Sequence, residues 1–345
     1  MKVTIPDVPT HIWQDLYDKA YAYQQMAPWT VTDEDHLFAV KDPVSEEINY
    51  CCVLGAVGEF YGLAAYRGRS GLEMHLRLKN GLMDPDNSKI RSMYDAIVLE
   101  FCPEEELDTV DRQILKKLKY SEKRKRYAQF RSYWPGYQGW YLTQEEIEFF
   151  IIALEAAKHH VEKCKKDSLF YIDPIKDKCL LYATKTDTPS TVWEDVWHVF
   201  GSFSPHEEEF WIGPEKIKSL QLKSRDENGA WEASIFTTSA AIHDRERPYW
   251  MRVALIVDRN SERIIGMDVI KPEDNAPIAL LEKIVWALEQ SSEMPGYILF
   301  DDPELCDVCE PLLKSLEVQA VVITDMVATY NAQDYLEKQL LIKSR

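Results

Sequence analysis

At 345 residues the chain exceeds the roughly 250–300 residues at which a single hydrophobic core stops growing, so two domains are expected. Hydrophobic residues at 46% and aromatics at 12% suffice for packed cores in both and exclude a disordered chain. A formal charge of -18 repels nucleic acid and anionic membrane at long range, so any nucleic-acid role needs a local basic patch.

Thr10 can N-cap a first helix in which Ile12, Trp13, Leu16, Tyr17, Ala20 and Tyr23 recur at helical spacing, with Pro28 ending it. Three short strands follow at 37–40, 48–54 and 59–66, separated by Lys41-Asp42-Pro43 and by Gly55-Ala56-Val57-Gly58. They read as an antiparallel meander. Gly55-Ala56-Val57-Gly58 lacks the spacing and the Gly-Lys ending of a phosphate loop and lies between strands, so it is a hairpin turn. Ser70 can cap a helix to about Leu82, 94–101 is an apolar strand, and Pro103 with Glu104, Glu105 and Glu106 opens a helix to about Tyr120.

A basic run follows, Arg112, Lys116, Lys117, Lys119, Lys123, Arg124, Lys125, Arg126 and Arg131, leading into Trp134, Tyr137 and neighbouring aromatics. Cations beside aromatics can grip phosphates while stacking bases. Lys116, Lys119, Lys123, Arg124, Arg126, Arg131, Trp134 and Tyr137 are therefore the candidate nucleic-acid contacts. The competing reading is a solvated helix face beside an aromatic loop that packs into the first domain. Residues 130–141 are too rich in Gly, Pro and aromatics for regular structure, and Thr143 with Glu146 forms a capping box opening a long helix to about Lys166. His159 and His160, adjacent on that helix, point about 100° apart and cannot ligate one metal together.

Strands at 170–172 and 179–183 flank a turn, and 186–229 reads as a connector with helix around 192–199. Its Trp193, Trp197, Phe200, Phe203, Phe210 and Trp211 beside Glu207, Glu208 and Glu209 seal a domain interface or, if exposed, serve a protein partner. Strands at 231–242, 250–258 and 263–270 then precede helix, strand, helix, strand and helix. That order gives a mixed sheet covered by helices. Cys306 and Cys309 form a lone CxxC with no second pair at zinc-ligand spacing, starting a turn inside a helix, and read as core residues.

No apolar run approaches the roughly 20 residues that cross a bilayer. The first ten residues carry no leader pattern, and the seven cysteines are odd in number and scattered. The expectation is a cytoplasmic protein with reduced thiols, with no membrane role. The domains expected are 1–166, an α+β domain with an antiparallel meander and helices; 167–229, a hairpin and aromatic, acidic connector; and 230–345, an α/β domain.

The segments Ala27–Trp29, Leu37–Pro43, Tyr50–Glu59 and Phe130–Tyr137 resemble an uncharacterised bacterial family known only as a domain of unknown function, which implies no catalytic residues. The strand order of the last third, with Val253–Ile270, resembles the central hairpin of ribonuclease H-like transposase and integrase cores. The resemblance implies a structural role for Asp258. It implies a first carboxylate in mid-strand within 231–242, where only Glu232 stands, near the beginning. It implies a second at Asp301 or Asp302 and a third at Asp334 or Glu337.

Two-metal phosphoryl transfer requires converging carboxylates around cations about 3.5–4 Å apart, and without a central acid both sites weaken. The reading is a non-enzymatic binding or interaction protein with a catalytically degenerate ribonuclease H-like domain, no metal site and no cofactor. The alternatives are a metal-dependent nuclease or phosphoryl-transfer enzyme using Mg or Mn, and a nucleic-acid binder acting through 112–141.

Overall fold

In the computed structural model, residues 6–83, 89–120, 124–166, 178–184, 193–200, 210, 212–244 and 246–343 are described. They fall into two compact units, Met1–Pro135 with Gly139–Ser204, and Gly136–Gln138 with Pro205–Arg345. No helix among the described residues is long and apolar enough to cross a membrane.

In the first unit α1 (Thr10–Gln25) is followed by β1 (Phe38–Lys41), β2 (Ile48–Leu54), β3 (Gly62–Tyr66), α2 (Gly68–Lys79), the single turn α3 (Ile90–Met93) and β4 (Ala96–Cys102). Then come α4 (Thr109–Lys117), β5 (Tyr127–Tyr133), α5 (Gln144–Lys166), β6 (Lys178–Thr184) and β7 (Trp193–Val199). The sheet order is β5-β4-β3-β2-β1-β6-β7. The three strands read from sequence as an antiparallel meander are β1 to β3, β4 and β5 extend it to five, and among the described strand pairs of this sheet only β1 with β6 is parallel.

Strand β2 is an almost continuous apolar run because both its faces are covered. Cys51 and Val53 face the core that includes α1 and α5, whereas Tyr50 and Cys52 join Leu72 and Met74 of α2. Gly62 is required where β3 meets β4, since a Cβ there would lie 1.9 Å from the Leu99 carbonyl oxygen. The Gly55 to Gly58 segment is a turn closed by Gly58 N–H donating to the Gly55 carbonyl at 3.0 Å.

On α5, His160 stacks on Phe38 at 4.6 Å, with Nδ1 2.9 Å from the Tyr182 hydroxyl and Nε2 3.5 Å from Cys164 Sγ. Burial first, then the nearby His36, Lys163 and His159, push the imidazole down from 6.5 to about 3. The folded ring is neutral while the unfolded one charges below 6.5, so its contribution is complete above that pH and is lost as pH falls toward 3. Stability should fall by up to about 1.4 kcal/mol per pH unit from this group alone. Urea midpoints measured at pH 7, 6 and 5 should show a shallower decline in His160→Phe than in the parent chain; parallel declines would refute the assignment.

In the second unit, α6 (Pro214–Gln221), β8 (Ser224–Ile242), β9 (Tyr249–Asp258), β10 (Ile264–Ile270), α7 (Ala276–Gln290), β11 (Glu293–Phe300), α8 (Pro303–Ser315), β12 (Gln319–Val322) and α9 (Val327–Lys343) follow in order. The sheet order is β10-β9-β8-β11-β12. Strand β9 runs antiparallel to both neighbours, while β8, β11 and β12 are mutually parallel. This order, third-second-first-fourth-fifth with the second strand reversed, is that of a ribonuclease H-like sheet. Helices α7 and α8 pack on one face with Trp231 and Ala233, and α9 covers Phe236, Leu255 and Val257 on the other.

Several sequence expectations are corrected. The segment 193–199 is β7 rather than helix, because its backbone pairs antiparallel with β6 along its whole length. Residues 127–133, expected in part to be irregular, form β5, whose aromatics fill a half-buried sheet surface. The helix expected from Pro103 begins only after Asp108, which caps the Asp111 N–H at 2.8 Å, and Glu104–Glu106 form a single 3-10 turn. Thr10 lies inside α1, with Pro9 before it, and Ser70 lies inside α2. The expected strand at 170–172 and the residues Phe203, Glu207, Glu208, Glu209 and Trp211 lie outside the described residues.

Candidate functional site

The second unit's candidate site is built around one acid. Strand β8 begins at Ser224, seven residues before the expected start, and this moves Glu232 from the beginning of a strand to its middle. Glu232 pairs with Leu299 of β11 on one side and Val257 of β9 on the other, at the centre of the sheet, and is 0% exposed. A carboxylate at that depth needs compensation. Arg259, the first residue after β9, turns back so that Nη1 donates to Glu232 Oε1 at 2.8 Å and to the Asp325 carbonyl at 3.0 Å. Glu232 Oε2 accepts from the Thr329 N–H at 2.8 Å, in the first turn of α9, where the helix dipole favours negative charge. Both oxygens are thus engaged by the protein's own cation and helix terminus.

Sequence reasoning missed Arg259. The available signal was a cation immediately after the strand that neighbours the one carrying a lone acid. Asp258 holds its own turn, accepting from the Ser261 N–H and hydroxyl, each at 2.7 Å.

Of the other candidate acids, Asp301 follows the β11 segment that pairs with Glu232, and Asp302, Asp334 and Glu337 are engaged elsewhere. Asp301 lies one residue past β11. Asp302 N-caps α8, accepting from the Glu304 N–H at 2.9 Å. Asp334 forms an exposed pair with Lys338 on α9. Glu337 accepts from Ser239, from its N–H at 3.2 Å and its hydroxyl at 3.1 Å. Ser239 is seven residues along β8 from Glu232, about 20 Å of strand, against the roughly 4 Å between paired catalytic cations. Among the described residues no three His, Cys, Asp or Glu side chains are grouped to hold a metal. Cys306 and Cys309 are buried in α8; burial pushes the Cys309 thiol up to about 12 and raises Cys306 as well, so neither is thiolate-like.

In the first unit the basic run divides. Arg131 is an internal ion-pair partner, with Nη2 2.7 Å from Asp111 and 3.0 Å from Asp108, and Asp108 also accepts from the Tyr141 hydroxyl. Burial pushes the Asp108 carboxyl up, but the Tyr141 and Asp111 hydrogen bonds and the Arg131 charge outweigh it and hold it below its ordinary value. Trp134 donates its indole N–H to Ser132 and Glu146, at 3.1 and 3.0 Å. Tyr137 belongs to the second unit, bridged to Tyr249. Lys116 and Lys119 are exposed at the end of α4, and Lys123 lies outside the described residues. Arg124 lies over the Tyr21 and Tyr120 rings at 4.0 and 5.5 Å, and Arg126 over Tyr61 at 4.6 Å.

A second polar network surrounds Arg67. Its Nη2 donates to Glu146 at 2.6 Å and to the Ser132 hydroxyl at 2.7 Å, and its Nη1 to Asp95 at 3.0 Å and the Tyr133 carbonyl at 2.6 Å. Glu146 also completes the predicted capping box, accepting from the Thr143 N–H at 2.9 Å. Every strong donor there is used internally.

Residues 13–182 match the family model described as Domain of unknown function (DUF7309). Residues 216–337 match the model described as Domain of unknown function (DUF6930). No curated protein matches the chain. Among solved structures, the catalytic core domain of BIV integrase is 13% identical, with a TM-score of 0.25, over 33% of this chain and 70% of that one. Endonuclease V from Bacillus subtilis is 18% identical, with a TM-score of 0.15, over 27% of this chain and 46% of that one, so less than half of its length is spanned. The ribonuclease H-like assignment rests on the strand order and polarity and not on these likenesses. The chain thus joins an N-terminal segment matching the first of these two families to a C-terminal segment matching the second.

Proposed function

We propose that the protein is a cytosolic, non-enzymatic binding or interaction protein, whose second unit keeps a ribonuclease H-like sheet without its phosphoryl-transfer chemistry. The observation that carries this reading is the saturation of Glu232. In mid-strand and fully buried, it gives one oxygen to the Arg259 guanidinium and the other to the Thr329 N–H. A guanidinium stays protonated at any physiological pH, so a divalent cation would have to displace a permanent positive charge to reach this carboxylate.

The alternative, a nuclease using Glu232 with Asp301 or Asp302 and Asp334 or Glu337, has less support. Three of its acids already serve a cap, an i,i+4 pair and a strand contact. The full chain incubated with single- and double-stranded DNA and RNA in magnesium or manganese should leave all four intact, and chelation should not move its unfolding midpoint. Metal-dependent cleavage that disappears in both Glu232→Gln and Asp301→Asn would overturn the proposal.

A further inference from the structure

We propose that Arg124, Lys125 and Arg126, with Gln24, form a binding site for a phosphate group on the first unit. This narrows the basic run read from sequence to its three consecutive cations, and it stands independently of the reading of the second unit. The four residues line a surface depression of about 350 Å3, and no acid lines it among the described residues. The chain carries 58 acidic against 40 basic residues, an excess in which cations readily find carboxylates, as Arg67 and Arg131 do. Yet none of these three cations has an ion-pair partner among the described residues. Glu100 feels the Arg126 charge without pairing with it, and three adjacent positive charges still repel one another where no anion bridges them.

The geometry is fixed in advance. Arg124 lies 4.0 Å from the Tyr21 ring centroid and 5.5 Å from that of Tyr120, and its backbone N–H donates to the Tyr127 hydroxyl at 3.1 Å. Arg126 lies 4.6 Å from the Tyr61 ring and is anchored by Nη1 donating to the Phe101 carbonyl at 3.0 Å. The rings are themselves held, Tyr120 by its hydroxyl donating to Asp18 and Tyr21 by accepting from the Ala128 N–H at 3.4 Å. The nearby Asp18 is thereby occupied, and Gln14 donates to it as well. A guanidinium stacked on a ring directs its N–H groups outward in its own plane, the arrangement that meets phosphate oxygens. Lys125, exposed between the two arginines, adds a third positive charge.

The ligand chemistry is a phosphate oxyanion, carried by a small phosphorylated molecule or by a polynucleotide backbone. The test uses the full chain at low salt, with inorganic pyrophosphate followed by calorimetry and a labelled single-stranded oligonucleotide followed by anisotropy. Saturable binding of at least one probe is expected, weakened about tenfold or more in Lys125→Ala/Arg126→Gln and in Arg124→Gln. Lys116→Ala/Lys119→Ala, on the neighbouring helix, should leave pyrophosphate binding unchanged. Pyrophosphate bound as tightly as the oligonucleotide identifies a small phosphate ligand; a tighter oligonucleotide, whose salt slope falls by about two in the double variant, identifies a polynucleotide. Unfolding midpoints within a few degrees of the parent chain show that the variants are folded. No saturable binding of either probe, or equal binding by folded variants, would overturn the site.

Discussion

Arg259→Ala is expected to destabilise the second unit by about 2–4 kcal/mol, because it strands a carboxylate in the middle of a sheet. Glu232 is 0% exposed, and its cationic partner among the described residues is the Arg259 guanidinium at 2.8 Å. The Thr329 N–H and the α9 terminus remain, but they supply fractional charge rather than a whole one. The guanidinium side chain is 33% exposed, so water can enter where it stood, and this pulls the loss toward the lower end of the range. Glu232→Gln/Arg259→Met removes both charges while keeping most of the volume, and it should recover more than half of the loss. Urea denaturation of the two variants measures both values. A loss under about 0.5 kcal/mol in Arg259→Ala would mean that Glu232 is not held by this pair, and the argument for a saturated central acid would go with it.

Arg67→Ala should cost about 3–5 kcal/mol in the first unit, since a single guanidinium compensates both Asp95 and Glu146. The loss should also depend on pH with a definite sign. Burial pushes the Glu146 carboxyl up, but Arg67, the Ser132 hydroxyl, the Thr143 N–H and the Trp134 indole outweigh it and hold the group below its ordinary 4.5. In the parent chain this contribution is therefore complete above pH 4.5 and is lost as pH falls through the lower folded value. Without Arg67, burial dominates and the folded value moves above the unfolded one, so protonation now relieves the penalty. The gap between parent and variant should accordingly be widest at pH 7 and narrow by pH 4, read from urea midpoints at both. A gap that stays constant or widens on acidification would show that Glu146 is not the group Arg67 compensates.

The meander, the long capped helix at 144–166 and the strand order of the second unit were legible in the chain, because each is written in local terms. Short apolar runs bounded by turn-forming residues mark β1 to β4, the Thr143 and Glu146 pair marks the start of α5, and Asn275 and Asp302 cap α7 and α8 where turn chemistry places them. Elements whose local pattern is ambiguous were not legible. Trp193–Val199 became a strand because β6 offers it a partner, and β8 extends back to Ser224 because β11 pairs with its polar first half. A polar stretch carries no periodic signal, so only the neighbouring strand reveals it.

The sequence by itself determined which residues could do chemistry: one acid on the central strand of the second unit, scattered acids after it, and a run of cations ahead of α5. Only the tertiary structure decided how those charges are used. It brought Arg259 and the start of α9 to Glu232, gave Arg131 to Asp108 and Asp111, and left Arg124, Lys125 and Arg126 with no ion pair among the described residues. The physical reason is that a charge's role depends on what lies within a few ångströms of it in a low-dielectric surrounding, and those neighbours come from strands and helices distant in the chain.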